Sequence, residues 1–97
     1  VNTIMPVDIY YGPEFKRDYK KLISELRLSV KERGRLFQEN PFHPLLKTHK
    51  LGGFAKDCWA FSIDYRTRVI FEFSGKSAVN LLRVGDHSVY QKMKRKH

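Results

Sequence analysis

Side chains suited to acid–base and phosphate chemistry recur along the second half of the chain, at His49, Arg68, His87 and Tyr90. Histidine, with an ordinary pKa of about 6.5, can take or give a proton near neutral pH. The planar guanidinium of arginine matches phosphate oxygens in two-point contacts. RNA cleavage without a metal needs a base, a cation at the phosphate and an acid. These residue types therefore predict a ribonuclease in which Tyr90 orients or stacks on the substrate.

Each of these residues also has a simpler structural explanation. Arg68 shares a predicted strand face with Glu72, and the two could form an ordinary ion pair. The histidines have no ligand-like spacing, and the single Cys58 cannot complete a zinc site, so no metal is predicted. The sequence has neither a P-loop nor a dinucleotide fingerprint, so no cofactor is predicted. Cys58 lies in an apolar run that would bury it and raise its pKa, which disfavours a nucleophile.

The positive charge of the chain indicates an anionic partner. The formal net charge is +9 and the pI is near 9.9, values typical of a small domain that meets a polyanion or an acidic protein. The loop aromatics Phe54 and Tyr65 are candidates for base stacking. The candidate RNA-binding residues are Lys47, Lys50, Lys56, Arg66 and Arg83. Solvated surface charge is the alternative for each of these basic residues, and it is the preferred one for at least half of them.

Length and composition predict one globular domain. The chain has 97 residues, of which 41% are hydrophobic, enough for a single core. The lone cysteine fits a reducing compartment, and neither a membrane-spanning run nor a signal peptide is apparent. We therefore expect a cytoplasmic protein.

The hydrophobic pattern predicts an α+β fold with the order β-α-α-β-β-β. Alternation predicts strands at residues 7–11, 58–63, 68–73 and 78–84. An apolar stripe predicts a helix from about Pro13 to Leu26, and a capping box at Ser29 predicts the start of a second helix that ends near Asn40. The two helices would form a hairpin packed on a mostly antiparallel sheet.

The run from Leu46 to Tyr90 resembles the RelE/ParE superfamily of toxins from type II toxin–antitoxin modules. The matching features are the H-x-L-G loop from His49, the W-x-F-x-I-D and R-x-R-V-I-F strands, and the closing L-L-R-V-G-D-H-x-V-Y. The upstream strand and helical hairpin match the layout of that family, so the resemblance covers nearly the whole chain.

The resemblance implies a RelE-like endoribonuclease that cuts mRNA on the translating ribosome without metal. Arg68 matches the strand arginine that supports the phosphate, His87 the C-terminal catalytic position, and Tyr90 the aromatic residue after it. His49 matches a loop histidine of some branches, and which histidine is base and which is acid stays open. The implied partners are a cognate antitoxin, mRNA and the ribosome.

Two departures from the family pattern bear on activity rather than on fold. Leu45 and Leu46 stand where some branches carry a loop glutamate, and Ser62 stands where others carry an arginine or histidine. The ParE-like branch shares the fold but resembles inhibitors of DNA gyrase, and it usually lacks a C-terminal histidine–tyrosine pair. Gyrase inhibition and plain RNA binding without chemistry are thus the alternative functions.

Overall fold

The computed structural model describes residues 5–55, 57–89 and Gln91. Short 3-10 turns occupy Pro44–Leu46 and Gly53–Ala55, and residues 87–89 are helical. Within this described part, no helix is long and apolar enough to cross a membrane. The remaining elements are strand β1 (Asp8–Tyr11), helices α1 (Pro13–Lys21) and α2 (Ser24–Glu39), and strands β2 (His49–Lys50), β3 (Trp59–Ser62), β4 (Arg68–Ser74) and β5 (Ala78–Gly85).

The five strands form one mixed sheet in the order β1-β5-β4-β3-β2. Strand β1 runs parallel to β5, and the other neighbouring strands are antiparallel. The predicted α+β fold, with two helices beside a mostly antiparallel sheet, is confirmed. Strand β2 was not predicted, because two residues are too few to display the alternation that marks a strand.

The break between the helices falls earlier than the sequence pattern predicts. Helix α1 ends at Lys21 and α2 begins at Ser24, so the predicted continuation to Leu26 is wrong. The backbone is extended at Leu22 and Ile23, with ψ angles of 147° and 156°. Because neither residue is a glycine or proline, the sequence carries no local signal for this break.

Two hydrogen bonds hold the break in place. Arg27 donates from its guanidinium to the carbonyl of Leu22, and the Tyr19 hydroxyl donates to the carbonyl of Arg27. The predicted helix start at Ser29 is also wrong, because Ser29 lies inside α2. Its hydroxyl donates a hydrogen bond to the carbonyl of Glu25, one turn earlier. The predicted end of the second helix near Asn40 is confirmed.

The core lies between the two helices and the sheet. Phe37, fully buried on α2, stacks on Phe61 of β3 with 4.4 Å between ring centroids. Its edge meets Phe71 of β4 at 4.8 Å. Aromatic pairs at these separations add to the free energy of burial. Phe37 therefore joins α2 to the central strands β3 and β4.

Alternation along β4 gives the sheet two distinct faces. Val69 and Phe71 are fully buried on the face that meets Phe37, and Arg68 and Ile70 therefore lie on the opposite face. Arg68 pairs with Ser62 of β3 and Gly85 of β5. The side chain of Arg68 is thus placed on the face away from the main core.

We expect Phe37→Ala to lower the free energy of unfolding by about 3–5 kcal/mol, because it removes a fully buried ring and leaves a cavity. The urea unfolding midpoint measures this loss. Leu28→Ala is the control, since Leu28 lies on the same helix and is 60% exposed. Equal losses in the two variants would contradict the assignment of the core.

Candidate active site

A surface cleft of about 720 Å³ opens where β4 begins and β5 ends. The turn between β3 and β4 supplies one wall, and the segment after β5 supplies the other. We call it the arginine–histidine cleft. Its described lining residues are Tyr65, Arg66, Arg68, Asp86, His87, Ser88 and Gln91.

Arg68 is fixed at the start of β4 by the backbone around it. Its guanidinium donates to the carbonyl oxygens of Asp64 at 2.6 Å and Thr67 at 3.2 Å. Among the described residues, the ion pairs do not include Arg68, so the predicted alternative of a pair with Glu72 is not observed. The half-buried guanidinium is oriented by two carbonyl oxygens, and the nearby carboxylate of Asp64 also interacts with its charge.

The turn before Arg68 is organised by the carboxylate of Asp64. Asp64 Oδ1 accepts hydrogen bonds from the amides of Arg66 at 2.9 Å and Thr67 at 2.6 Å. Partial burial raises the pKa of Asp64, but these hydrogen bonds outweigh that effect and hold the pKa below its ordinary value. The ordered turn presents Tyr65, 85% exposed, at the mouth of the cleft.

His87 is placed by a tight change of direction at the end of β5. The amides of Ser88 and Val89 donate to the side chain and the carbonyl of Asp86, at 2.9 Å and 3.1 Å. Gly85 has φ of +157°, and a Cβ atom there would lie 2.7 Å from Val89 Cγ1. A glycine is therefore required for the chain to fold back as it does.

Gln91 holds the imidazole of His87 from one side. The Gln91 amide nitrogen lies 2.9 Å from Nε2 of His87. An amide nitrogen can only donate, so Nε2 accepts, and a neutral ring carries its proton on Nδ1. This contact orients the ring of His87.

The end of β5 is anchored to α1 by the carboxylate of Asp18. It accepts two hydrogen bonds from the guanidinium of Arg83, at 2.7 Å and 2.9 Å, and one from the amide of Val84 at 3.1 Å. Glu14 lies 3.8 Å from the same guanidinium. The hydrogen bond with Asp18 raises the pKa of Arg83. The prediction that Arg83 binds RNA is not supported by this geometry, because the side chain is buried and paired.

Solved structures supply the comparison that decides the fold. The described sheet and helices match a YoeB/ParE toxin from Agrobacterium tumefaciens with a TM-score of 0.71 and 18% identity, over 84% of this chain and 99% of that one. The RelBE2 toxin–antitoxin complex from Mycobacterium tuberculosis matches with a TM-score of 0.70 and 18% identity, over 84% and 99% of the two chains. The chain has the fold of RelE/ParE toxins.

A third neighbour extends the same comparison. YafQ from E. coli matches the RelE/ParE fold of this chain with a TM-score of 0.64 and 18% identity, over 87% of this chain and 97% of that one. YafQ has also been solved in complex with DinJ, as a toxin–antitoxin pair. No protein-family model and no curated protein sequence matches the chain.

The remaining predicted site residues do not all gather in the arginine–histidine cleft. His49 lies on β2, two strands from β4, with Nδ1 at 3.0 Å from the carbonyl of Lys47. It pairs with Ala60, which pairs with Ile70, so His49 shares the sheet face of Arg68 at a Cα separation of roughly 12 Å. Arg68 therefore stands between the strand of His49 and the segment of His87.

The other predicted RNA-binding residues differ in position. Lys47 and Lys50 are exposed beside His49, and Arg66 is exposed in the arginine–histidine cleft. Lys56 and Tyr90 lie outside the described residues, as does the side chain of Phe54. The part of the chain that is described contains no cluster of His, Cys, Asp and Glu suited to a metal ion.

Sequence reasoning missed the supporting residues of the site. Gln91 carries no signal in the sequence, because its role depends on its contact with the ring of His87, four residues earlier. The partnership of Asp18 with Arg83 joins residues 65 positions apart.

Cys58 is only half-buried, and burial, followed by the charges of Glu72 and Asp57, raises the pKa of its thiol.

We expect Asp18→Ala to destabilise the fold by about 3–5 kcal/mol, because it leaves the buried guanidinium of Arg83 without its carboxylate. Urea unfolding measures the change. Glu14→Ala is the matched control, since its longer contact is half-exposed and worth at most about 1 kcal/mol. A loss at Asp18 no larger than that at Glu14 would contradict the anchoring role.

The depressed pKa of Asp64 predicts a dependence of stability on acid. Its contribution is complete above the ordinary value of 3.8 and is lost as pH falls through the lower folded pKa. Asp64→Asn should be less stable than the unchanged chain at pH 7, and the difference should shrink as pH falls below 3.8. Unfolding free energies across a pH series measure this, with Asp57→Asn as the control. A difference that is constant down to the lowest pH would refute the assignment.

Proposed function

We propose that this protein is the toxin of a type II toxin–antitoxin system and acts as a metal-independent endoribonuclease on mRNA at the translating ribosome. The observation that carries the proposal is the arginine–histidine cleft, in which Arg68 and His87 line one opening together with the exposed Tyr65 and Arg66. A cation, an acid–base group and a stacking surface thus lie together on a fold shared with RelE/ParE toxins.

The cleavage chemistry divides among these groups by what each can do. Attack of the 2′-hydroxyl on the phosphate builds negative charge on the phosphate oxygens, and the guanidinium of Arg68 is fixed to stabilise it. The imidazole of His87 exchanges a proton with either the 2′-hydroxyl or the leaving 5′-oxygen. The exposed ring of Tyr65 offers a flat face for an unstacked base.

His49 is the candidate for the second proton transfer. It lies on the same face as Arg68 but on the opposite side of it from β5 and His87. A phosphate held at Arg68 would therefore have one histidine on each side, as an in-line displacement with separate base and acid requires. Lys47, exposed close to His49, would hold a neighbouring phosphate, whereas Lys50 follows His49 on β2 and projects to the opposite face of the sheet.

The partners follow from the same proposal. RelBE2 and DinJ–YafQ are toxin–antitoxin complexes of this fold, which supports a cognate antitoxin for this chain. The net charge of +9 suits both mRNA on the ribosome and an acidic protein. Tyr90, whose structure is outside the described range, keeps its role as an orienting or stacking residue within the proposal.

We expect His87→Ala and Arg68→Ala each to lower mRNA cleavage by about 10²–10³-fold, because one removes a proton-transfer group and the other the phosphate cation. The measurement is the mapping of mRNA 5′ ends after tightly controlled induction. Arg17→Ala, which removes an exposed arginine from α1, is the matched control and should cleave normally.

The outcomes of this experiment separate the alternative functions. Codon-spaced 5′ ends that vanish in His87→Ala support the proposal. Growth arrest without new 5′ ends, together with loss of supercoiling activity, would instead indicate a gyrase inhibitor. Salt-sensitive RNA binding without arrest or cleavage would indicate an RNA-binding module with no chemistry.

A further inference from the structure

A cluster of three aromatic rings lies at the end of the sheet where β3 begins and β4 ends. Phe42, Trp59 and Phe73 contact one another, with ring centroids 5.4 to 6.0 Å apart. We call these three residues the aromatic platform. Trp59 and Phe73 are partly buried and pack against the core, whereas Phe42 is 39% exposed. The exposed ring of a cluster that is otherwise part of the core is a candidate for contact with a ligand.

One face of the Phe42 ring is directed away from the protein interior. The ring stacks on Phe73 with an interplanar angle of 18°, and it meets Trp59 nearly edge-on, at 79°. Because Phe73 covers one face of the ring, the exposed part of Phe42 includes its other face. An exposed aromatic face of this kind is the surface on which an unstacked nucleobase packs.

The loop that carries Phe42 is held by its own hydrogen bonds. Asn40 accepts two of them, from the amide of Phe42 to its side chain at 3.0 Å and from the amide of His43 to its carbonyl at 3.1 Å. The hydroxyl of Thr48 donates to the carbonyl of Pro41, which is fully buried. A ring that is held in place before binding loses little conformational entropy when a ligand packs on it.

Lys50 places a positive charge beside the aromatic platform. It pairs with Trp59 across β2 and β3, so the two side chains lie on the same face of the sheet, away from His49. Lys50 is exposed, and the ion pairs of the described residues do not include it. Glu72 precedes Phe73 on β4 and therefore lies on the opposite face. A cation next to an exposed ring is complementary to a nucleotide, which carries a phosphate and a planar base.

We propose that the aromatic platform binds single-stranded RNA, with one base stacked on Phe42 and an adjacent phosphate held by Lys50. Stacking tolerates every base, because each base has a flat π-face, and a lysine at a phosphate carries no sequence information. The platform therefore adds affinity without base preference. An apolar segment of a protein partner would use the ring but not the lysine, so the two occupants differ in their dependence on charge.

The aromatic platform lies apart from the arginine–histidine cleft. Phe73 comes five residues after Arg68 on β4, which is roughly 17 Å along a strand, and alternation directs the two side chains to opposite faces. RNA on the platform is therefore bound outside the proposed cleavage site. The identity of this RNA as mRNA rests on the proposed function, whereas the stacking of a single strand does not.

The test uses a labelled 2′-O-methyl oligoribonucleotide of about eight nucleotides, within the usual range of single-strand site sizes. It lacks the 2′-hydroxyl that would attack the phosphate, so the full chain binds it without cutting it. Fluorescence anisotropy measures the affinity. Trp59 is the only tryptophan of the sequence, and we expect the bound oligonucleotide to quench its fluorescence.

Two substitutions of Phe42 separate stacking from folding, because both refill the space of the ring. Phe42→Leu should weaken oligonucleotide binding by about tenfold, since an aliphatic side chain cannot stack on a base. Phe42→Tyr keeps a ring and should bind like the unchanged chain. Tyr10→Leu is the matched control, because Tyr10 is 58% exposed on β1, at the other edge of the sheet from β2. It should leave the affinity unchanged.

The phosphate contact is tested by the dependence of binding on salt. Lys50→Gln should reduce the slope of log affinity against log salt by about 0.7, the value for one phosphate of a single strand. Lys21→Gln removes an exposed lysine at the end of α1 and should leave the slope unchanged.

Three results would overturn the inference. Equal affinities of Phe42→Leu and Phe42→Tyr would remove the stacked base, and an unchanged salt slope in Lys50→Gln would remove the phosphate contact. Binding of the oligonucleotide without a change in Trp59 fluorescence would place the RNA elsewhere on the surface.

The mapping of mRNA 5′ ends distinguishes this inference from the proposed nuclease. A chain that binds the oligonucleotide through Phe42 but produces no new 5′ ends would refute the nuclease and keep the aromatic platform. A chain that cleaves mRNA but binds the oligonucleotide equally well with Leu or Tyr at position 42 would keep the nuclease and refute the platform.

Discussion

At the outer edge of β5, beyond the end of β1, the carboxylate of Asp18 accepts a backbone hydrogen bond that a neighbouring strand would otherwise accept. Strand β1 covers that edge only as far as Leu81, where the amide of Gly12 makes the last hydrogen bond. Beyond that point the amide of Val84 would lack a backbone acceptor on this side, and Asp18 accepts it instead. An unsatisfied amide at a buried position is costly, so this contact stabilises the part of β5 that extends beyond β1.

Most of the proposed active site depends on that contact. Because β5 continues to Gly85, it stays paired with β4 at Arg68, and the chain then turns to present His87 in the same cleft. The guanidinium of Arg83 neutralises Asp18 and makes the buried carboxylate tolerable. Helix α1 therefore organises a site on which none of its described residues forms a wall.

The fold was largely predictable because it follows from hydrophobic alternation. Residues 68–74 alternate between the two faces of a central strand, which correctly placed Arg68 away from Val69. The helix break at Leu22 and Ile23 was not predictable, since two apolar residues without glycine or proline continue the helical pattern. The pairing of Arg83 with Asp18 could not be predicted either, because an arginine in a strand gives no information about a carboxylate 65 residues away. The grouping of Arg68 with His87 was anticipated from residue types. His49 lies on β2, two strands away from β4, and this two-residue strand was too short to recognise in the sequence.

The parallel pairing of β1 with β5 also delays the completion of the sheet while the chain is synthesised. The register joins Asp8 to Ala78 and Tyr11 to Leu81. Strand β1 is therefore synthesised long before β5, the strand with which it pairs. Pairings between such distant residues form slowly, because the loop-closure entropy is lost before the contacts are gained. Helix α1 begins directly after β1. Its Asp18 can pair with Arg83 only after residue 83 has been synthesised. The cleft beside β4 and β5 is therefore completed only late in synthesis, after both β5 and the segment that carries His87 have been made.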